Sequence, residues 1–98
     1  MEPSRKLAAI LAADAAGYSR LMQEDERATL TTLDAYRHVF REQIEAHQGR
    51  VVDMAGDSVL AVFESATEAV SAALEIQSAL ATRNEAFPEA RRMRFRIG

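Results

Sequence analysis

The sequence alternates short apolar runs with two long segments of helical periodicity, and this order leaves few folds open. The apolar runs cover residues 7–13, 51–52, 59–63 and 93–97. In the last run Met93, Phe95 and Ile97 alternate with arginines, and this period of two is typical of a strand. We therefore predict four strands.

The first apolar run has two possible interpretations. Residues 7–13 are rich in alanine, the best helix former, so the run could begin a helix as well as form a buried strand. Asp14 and Gly17 follow directly, and an acid and a glycine between a strand and a helix often build a loop whose backbone approaches a ligand. We predict a central strand over residues 7–13 and a short helix over residues 18–22.

Two long helices are predicted between the strands. Residues 26–48 begin beside acidic side chains that suit the positive end of a helix macrodipole, and Gly49 is placed to close this helix in a left-handed conformation. Ser65 and Glu68 have the spacing of a capping box, which predicts the start of the second long helix. Pro88 cannot continue that helix.

The resulting order is strand, helices, strand, strand, helix, strand. It predicts a ferredoxin-like βαββαβ fold, in which the helices cover one face of an antiparallel sheet. The 98 residues fit one domain, residues 1–98, and 48% hydrophobic with 28% charged residues is a globular composition. Because the last residues still belong to the fourth strand, we expect the domain to be truncated there.

Charge and composition exclude several classes of partner and site. A net charge of −3 gives no bulk attraction to nucleic acid or anionic lipid. The chain has no cysteine for disulfides or thiolate metal sites, and His38 and His47 are not at the helical spacing that would bring both to one metal ion. No apolar run reaches the roughly 20 residues that span a bilayer. We expect a cytoplasmic protein without membrane insertion.

Two aspartates lie at predicted strand ends. In a ferredoxin-like sheet the first strand runs antiparallel beside the third, so Asp14 and Asp57 should share one edge. Neighbouring carboxylates repel each other unless a proton or a cation lies between them, and oxygen-only ligands favour Mg²⁺, Mn²⁺ or Ca²⁺. The backbone N–H groups of residues 16–19 would then lie at a helix N-terminus that suits a polyphosphate. The residues alone leave another interpretation open, in which Asp14 caps the first helix and Asp57 satisfies a turn.

Three segments resemble the catalytic domain of class III adenylate and guanylate cyclases, in the bacterial branch of that family. They read LAADAAGYS at residues 11–19, GRVVDMAGDSVLAVF at residues 49–63 and AVSAALEIQ at residues 69–77. The resemblance implies conversion of ATP to 3′,5′-cyclic AMP and pyrophosphate by a two-metal mechanism, in an active site shared within a homodimer. It covers only the N-terminal half of the family's domain.

The same resemblance implies roles for individual residues. The ligands of two Mg²⁺ or Mn²⁺ ions would be Asp14, Asp57 and the backbone carbonyl of Ala15. The β- and γ-phosphates would be held by the backbone of Ala16, Gly17, Tyr18 and Ser19. The partner would be a nucleoside triphosphate, with ATP favoured over GTP.

Two departures from the family pattern bear on activity. The position of a base-reading lysine, four residues before the second metal ligand, is Asp53 in this sequence. An ionised carboxylate cannot donate a hydrogen bond to a purine acceptor. The family's preference for one base therefore cannot be inferred for this chain from Asp53. The family's ribose-orienting asparagine and transition-state arginine follow the segment that these 98 residues match. We therefore expect the 98-residue chain by itself to be inactive.

Two other functions remain open on the sequence. A non-catalytic ferredoxin-like regulatory or dimerisation module would keep the acidic edge without any chemistry. A diguanylate cyclase also uses acids at these two strand ends, but its Gly-Gly-Glu-Glu-Phe hairpin is absent, since residues 54–58 read MAGDS.

Overall fold

A four-stranded antiparallel sheet organises the structure, a computed structural model that describes residues 8–98. Its strands are β1 (Ala9–Ala15), β2 (Arg50–Asp53), β3 (Val59–Phe63) and β4 (Phe95–Ile97). Their spatial order is β2-β3-β1-β4, and β1 pairs antiparallel with both β3 and β4. This order and these directions confirm the predicted ferredoxin-like fold.

The helices are α1 (Tyr18–Glu24), α2 (Glu26–Ala46) and α3 (Ala66–Asn84), and a 3₁₀ turn, Glu89–Arg91, follows Pro88. Side-chain caps fix the start of both long helices. Asp25 accepts a hydrogen bond from the Ala28 N–H at 3.1 Å, and Ser65 accepts one from the Glu68 N–H at 3.2 Å. Within residues 8–98 none of the helices is both long and apolar enough to cross a membrane.

The end of β1 differs from the prediction in a way that affects the site. The predicted strand over residues 7–13 begins outside the described residues, and β1 continues past residue 13 to Ala15. Asp14 pairs with Arg96 of β4, and Ala15 pairs with Phe95. Pairing with a distant strand therefore keeps Asp14 in extended backbone, where local sequence predicted a loop.

The end of α2 also corrects a prediction. The residue with left-handed backbone is Gln48, with φ of 64°, and not Gly49, and the helix ends at Ala46. A glycine is required at position 49 for another reason, because a Cβ atom there would lie 2.4 Å from Cε2 of Phe63.

Alternation along the strands gives the sheet two different faces. The side chains that face the helices are at most 7% exposed, and on β1 and β3 these are Leu11, Ala13, Ala15, Val59, Ala61 and Phe63. The buried side of α3 is lined by Ala69, Ala72, Ile76 and Leu80. Ile10 and Leu60 lie on the opposite face and are 63% and 39% exposed. We call this second surface the helix-free face.

Candidate functional site

The pairing of β1 with β3 brings Asp57 to the end of β1. Ala13 pairs with Val59, so the residues after Ala13 and before Val59 meet at the same edge of the sheet. The Ala15 N–H donates a hydrogen bond to Oδ2 of Asp57 at 3.0 Å. The N–H and C=O of a strand residue point toward the same neighbouring strand, so the Ala15 carbonyl is also directed to the side where Asp57 lies.

Asp14 lies one residue before Ala15, and its side chain lies on the helix-free face of the sheet. It is directly opposite Arg96 of β4, and Nε of Arg96 donates to Oδ1 of Asp14 at 2.8 Å. The Asp14 side chain is 47% exposed. Both carboxylates therefore lie at one edge of the sheet, where a backbone N–H holds one of them and a guanidinium holds the other.

The sequence left open a structural role for each aspartate, a helix cap for Asp14 and a turn contact for Asp57, and neither aspartate has that role. The N-cap of α1 is Gly17, and among the described residues no side chain caps that helix, so Asp14 is not its cap. The turn before β3 is closed by a backbone bond from the Ser58 N–H to the Ala55 carbonyl at 2.9 Å. Asp57 bonds to a different strand, so its carboxylate is placed by β1 and not by its own turn.

The turn that carries Asp57 is also held by α2. A guanidinium nitrogen of Arg37 donates to the carbonyl of Gly56, the residue immediately before Asp57. Arg41, one helical turn later, lies 3.9 Å from the sulfur of Met54. Sequence analysis did not find Arg37, because an arginine on an amphipathic helix normally indicates only a solvated face.

In the loop after β1, one residue of the predicted phosphate contacts has another partner. The Ala16 N–H donates to the Arg94 carbonyl at 2.7 Å, because the β1–β4 ladder extends one pair further than the strand bounds. The Ala16 amide is therefore already hydrogen-bonded within the sheet. Gly17 has a left-handed backbone, with φ of 67°, and it turns the chain into α1, where the amides of Tyr18 and Ser19 belong to the first helical turn.

Asp53 lies close to this edge on the helix-free face. It is exposed and pairs with Leu60 after an irregularity in the β2–β3 register. An open cavity of about 630 Å³ lies here, and the residues that line it include Asp14, Asp53, Ser58, Leu60 and Arg96. Asp53 and Asp14 thus border one concave surface with an apolar floor.

The donor atoms at this edge are suited to a hard cation. Within residues 8–98 there is no group of three or more histidine, cysteine or acidic side chains that could hold a metal. The edge instead offers two carboxylates and one backbone carbonyl, all of them oxygen. Mg²⁺ is commonly held by one or two protein carboxylates together with water and phosphate oxygens, so the residues present fit such an ion. His47 lies elsewhere, with its Nδ1 3.0 Å from Glu68.

Two proteins are similar to this chain in sequence along almost its whole length. The protein named "Putative adenylate cyclase 3" of Rhizobium meliloti (strain 1021) is 50% identical over 95 residues, which are 96% of this chain and 16% of that protein. The crystal structure of an adenylate/guanylate cyclase/hydrolase from Silicibacter pomeroyi is 43% identical, with a TM-score of 0.81. That match covers 98% of this chain and 56% of the other. No model of a protein family matches the chain.

A third similarity concerns the fold alone. The structure of a bacterial light-regulated adenylyl cyclase superposes with a TM-score of 0.85 at 23% identity, covering 100% of this chain and 31% of that one. This chain therefore spans about half of the Silicibacter protein and less than a fifth of the Rhizobium protein.

Proposed function

We propose that this chain, which is similar in sequence and fold to adenylate and guanylate cyclases, supplies the metal-binding and phosphate-binding part of a cyclase active site. The observation that carries the proposal is the meeting of Asp14 and Asp57 at one sheet edge, where the Ala15 N–H holds the Asp57 carboxylate. The reaction proposed is conversion of ATP to 3′,5′-cyclic AMP and pyrophosphate.

In this reaction the ribose 3′-oxygen loses its proton and bonds to the α-phosphorus, while the bond from that phosphorus to the pyrophosphate oxygen breaks. Two Mg²⁺ or Mn²⁺ ions, when bound, would lower the pKa of the 3′-hydroxyl and neutralise the triphosphate. The chain's part is to position oxygen ligands. Asp14 and Asp57 would bind the ions through carboxylates, and Ala15 would bind through its backbone carbonyl.

The phosphate contacts proposed are those that the fold leaves open. The amides of Gly17, Tyr18 and Ser19 lie where β1 turns into α1, and partial positive charge at a helix start favours phosphate oxygens. The Ala16 amide is left out of this set because it bonds to Arg94.

The base specificity proposed is for ATP over GTP, and it rests on the names of the relatives and not on Asp53. An ionised Asp53 accepts hydrogen bonds, so it can read an amino group but not a purine acceptor. Parallel assays with ATP and GTP measure this preference in a chimera in which this chain replaces the matching segment of the Silicibacter cyclase, with and without Asp53→Lys. A change in the ATP-to-GTP rate ratio on substitution is expected if Asp53 borders the bound base.

We propose that a second copy of the chain packs on the helix-free face. Ile10 and Leu60 expose apolar side chains on that surface, next to the cavity that contains Asp14. Sedimentation equilibrium at micromolar concentration tests the dimer, and a monomer at all concentrations would contradict it. The 98 residues carry neither the asparagine nor the arginine that the family uses, so we expect no turnover from this chain by itself.

A chimera gives the direct test of activity. In it, this chain replaces the matching segment of the Silicibacter cyclase, and the rest of that protein completes the domain. We expect cyclic AMP from ATP and Mn²⁺, with the rate reduced at least about 100-fold by Asp14→Asn or Asp57→Asn, since a catalytic metal is worth several kcal/mol. Asp34→Asn, at an exposed aspartate of α2, is the matched control. A folded chimera without activity, or one whose activity survives both site variants, would contradict the proposal.

A non-catalytic module is the second candidate, and one contact favours it. Arg96 already neutralises Asp14 without any cation. Such a module predicts no change in melting temperature when Mn²⁺ is added, whereas a cation bound only to the folded chain raises it.

A further inference from the structure

Arg96 occupies a special position relative to the proposed metal site. It is the cross-strand partner of Asp14, and its Nε lies 2.8 Å from Oδ1 of that carboxylate. Arg94, two residues earlier on the same strand segment, instead pairs with Glu89 at 3.0 Å. Of these two neighbouring arginines, only Arg96 is bonded to a carboxylate of the site.

We propose that Arg96 is an internal counter-ion of Asp14 that competes with the divalent cation for the same carboxylate. The inference rests on the proposed function, because it takes Asp14 as a metal ligand. Mg²⁺ binds carboxylate oxygen at about 2.0–2.1 Å, and a guanidinium hydrogen-bonded to that carboxylate would then repel the ion. A cation that takes Oδ1 displaces Arg96 from Asp14, and a cation that takes Oδ2 is repelled by the guanidinium at Oδ1.

The exposure of the pair makes this exchange possible. The Arg96 side chain is 72% exposed and that of Asp14 is 47% exposed, so the guanidinium can rotate into solvent without breaking core packing. Exposed ion pairs of this kind shift an equilibrium by a factor of only about two to five. Arg96 would thus offset the charge of Asp14, one of the two carboxylates of the empty edge, and lower its cation affinity modestly, without blocking the site.

Cation binding to the 98-residue chain tests the inference without any activity assay. Free Mn²⁺ is measured by electron paramagnetic resonance during titration of the wild type, Arg96→Gln and Arg94→Gln. We expect Arg96→Gln to lower the Kd for Mn²⁺ by about two- to fivefold. Arg94→Gln removes the same charge from the neighbouring position and is expected to change the Kd by less than about 1.5-fold, because a more distant exposed charge is screened. Equal affinity of Arg96→Gln and wild type, or an equal gain in Arg94→Gln, would overturn the inference.

A second measurement follows the guanidinium itself. The ¹⁵N–¹H signal of the Arg96 Nε is recorded while diamagnetic Mg²⁺ is added. We expect that signal to shift and to exchange faster with water as the site fills, while the Arg94 signal stays constant. An Arg96 signal unaffected at saturating Mg²⁺ would overturn the inference.

The two proposals fail in different ways. Suppose that the wild type binds Mn²⁺, that Asp14→Asn does not bind it, and that Arg96→Gln binds it with the wild-type Kd. The competition between Arg96 and the cation is then wrong, and the proposed metal site stands. If neither the wild type nor Arg96→Gln binds Mn²⁺, the metal site is wrong and the inference falls with it.

Discussion

The two aspartates at the sheet edge have different partners, and this difference bears on how each could bind a cation. Asp57 accepts one hydrogen bond from the Ala15 backbone, which positions one carboxylate oxygen and leaves the other free of that contact. Asp14 is held by an exposed side chain, that of Arg96. In the proposed metal site, the backbone would therefore fix one ligand, while the other would exchange between Arg96 and the divalent cation.

A glycine is required at the opposite end of β3 from the two aspartates, where Phe63 pairs with Ala9 at the start of β1. Replacing Gly49 by alanine would bring the new Cβ within 2.4 Å of the Phe63 ring, at the end of β3. We expect Gly49→Ala to lower the free energy of unfolding by about 1–3 kcal/mol, the usual cost of overpacking. Urea unfolding measures this, with Gly98→Ala as control because no heavy atom lies within 4 Å of a Cβ at that position. Equal stability of the two variants would contradict the predicted clash.

A buried tyrosine gives the fold a dependence on alkaline pH. Tyr36 is 2% exposed, and its hydroxyl donates to Oδ1 of Asn84 at 2.6 Å. Burial raises the pKa of Tyr36 above its ordinary value of 10.0, although the charge of Arg83 opposes part of this rise. The unfolded chain then loses the tyrosine proton at a lower pH than the folded chain, so stability is lost as the pH rises above about 10.

The variant Tyr36→Phe tests this linkage. At neutral pH we expect it to be less stable than the wild type by about 1 kcal/mol, because Asn84 loses a hydrogen-bond partner. Between about pH 9 and pH 11 its stability should fall less steeply than that of the wild type, since one proton linkage is gone. Urea unfolding across this range gives both slopes, and parallel curves would contradict the account.

At the scale of elements, the hairpin between β2 and β3 depends on α2 for its shape. Arg37 donates to the Gly56 carbonyl, and one of its buried atoms, Nε, has no hydrogen-bond partner among the described residues. A buried nitrogen without a hydrogen-bond partner lowers the stability of the fold, and this one belongs to the arginine that contacts the turn before Asp57. Arg37 is thus a positioning residue for that turn.

Removing the contact between Arg37 and the Gly56 carbonyl should lower the local stability of the turn before β3. We expect Arg37→Gln to speed hydrogen exchange at the Ser58 and Ala15 amides about fivefold, which corresponds to a loss of about 1 kcal/mol in local stability. Arg41→Gln is the matched control on the same helix, because Arg41 pairs with Glu45 of α2 and approaches the turn through the weak sulfur acceptor of Met54. Unchanged exchange in Arg37→Gln would show that the turn holds its shape without α2.

The helices and strands that could be predicted from the sequence are those that short-range patterns determine. Alternation of Met93, Phe95 and Ile97 predicted β4, and the Ser65 cap predicted the start of α3. Contacts between distant segments could not be predicted this way. The extension of β1 through Ala15 and the loss of the Ala16 amide both depend on β4, which lies about 80 residues later in the sequence.

For the whole molecule, the resemblance to class III cyclases carried most of the functional prediction, and the order of strands predicted where the two aspartates lie. Once β1 and β3 were expected to be antiparallel neighbours, the two aspartates had to share an edge, and the structure places them there. The predicted resemblance to class III cyclases is confirmed by sequence identity and by fold. Arg37 and Arg96 could not be found in this way, because the partner of a surface arginine depends on the final packing and not on the local pattern.

The central claim is that Asp14 and Asp57 bind a divalent cation together, and a Mn²⁺ titration of single variants tests it most directly. Asp57→Asn keeps an oxygen that can accept from the Ala15 N–H, so the fold should persist while the charge is lost. We predict that Asp14→Asn and Asp57→Asn each raise the Kd for Mn²⁺ at least about tenfold, a difference of about 1.4 kcal/mol. Asp34→Asn should bind as the wild type does. Wild-type affinity in both site variants would contradict the claim.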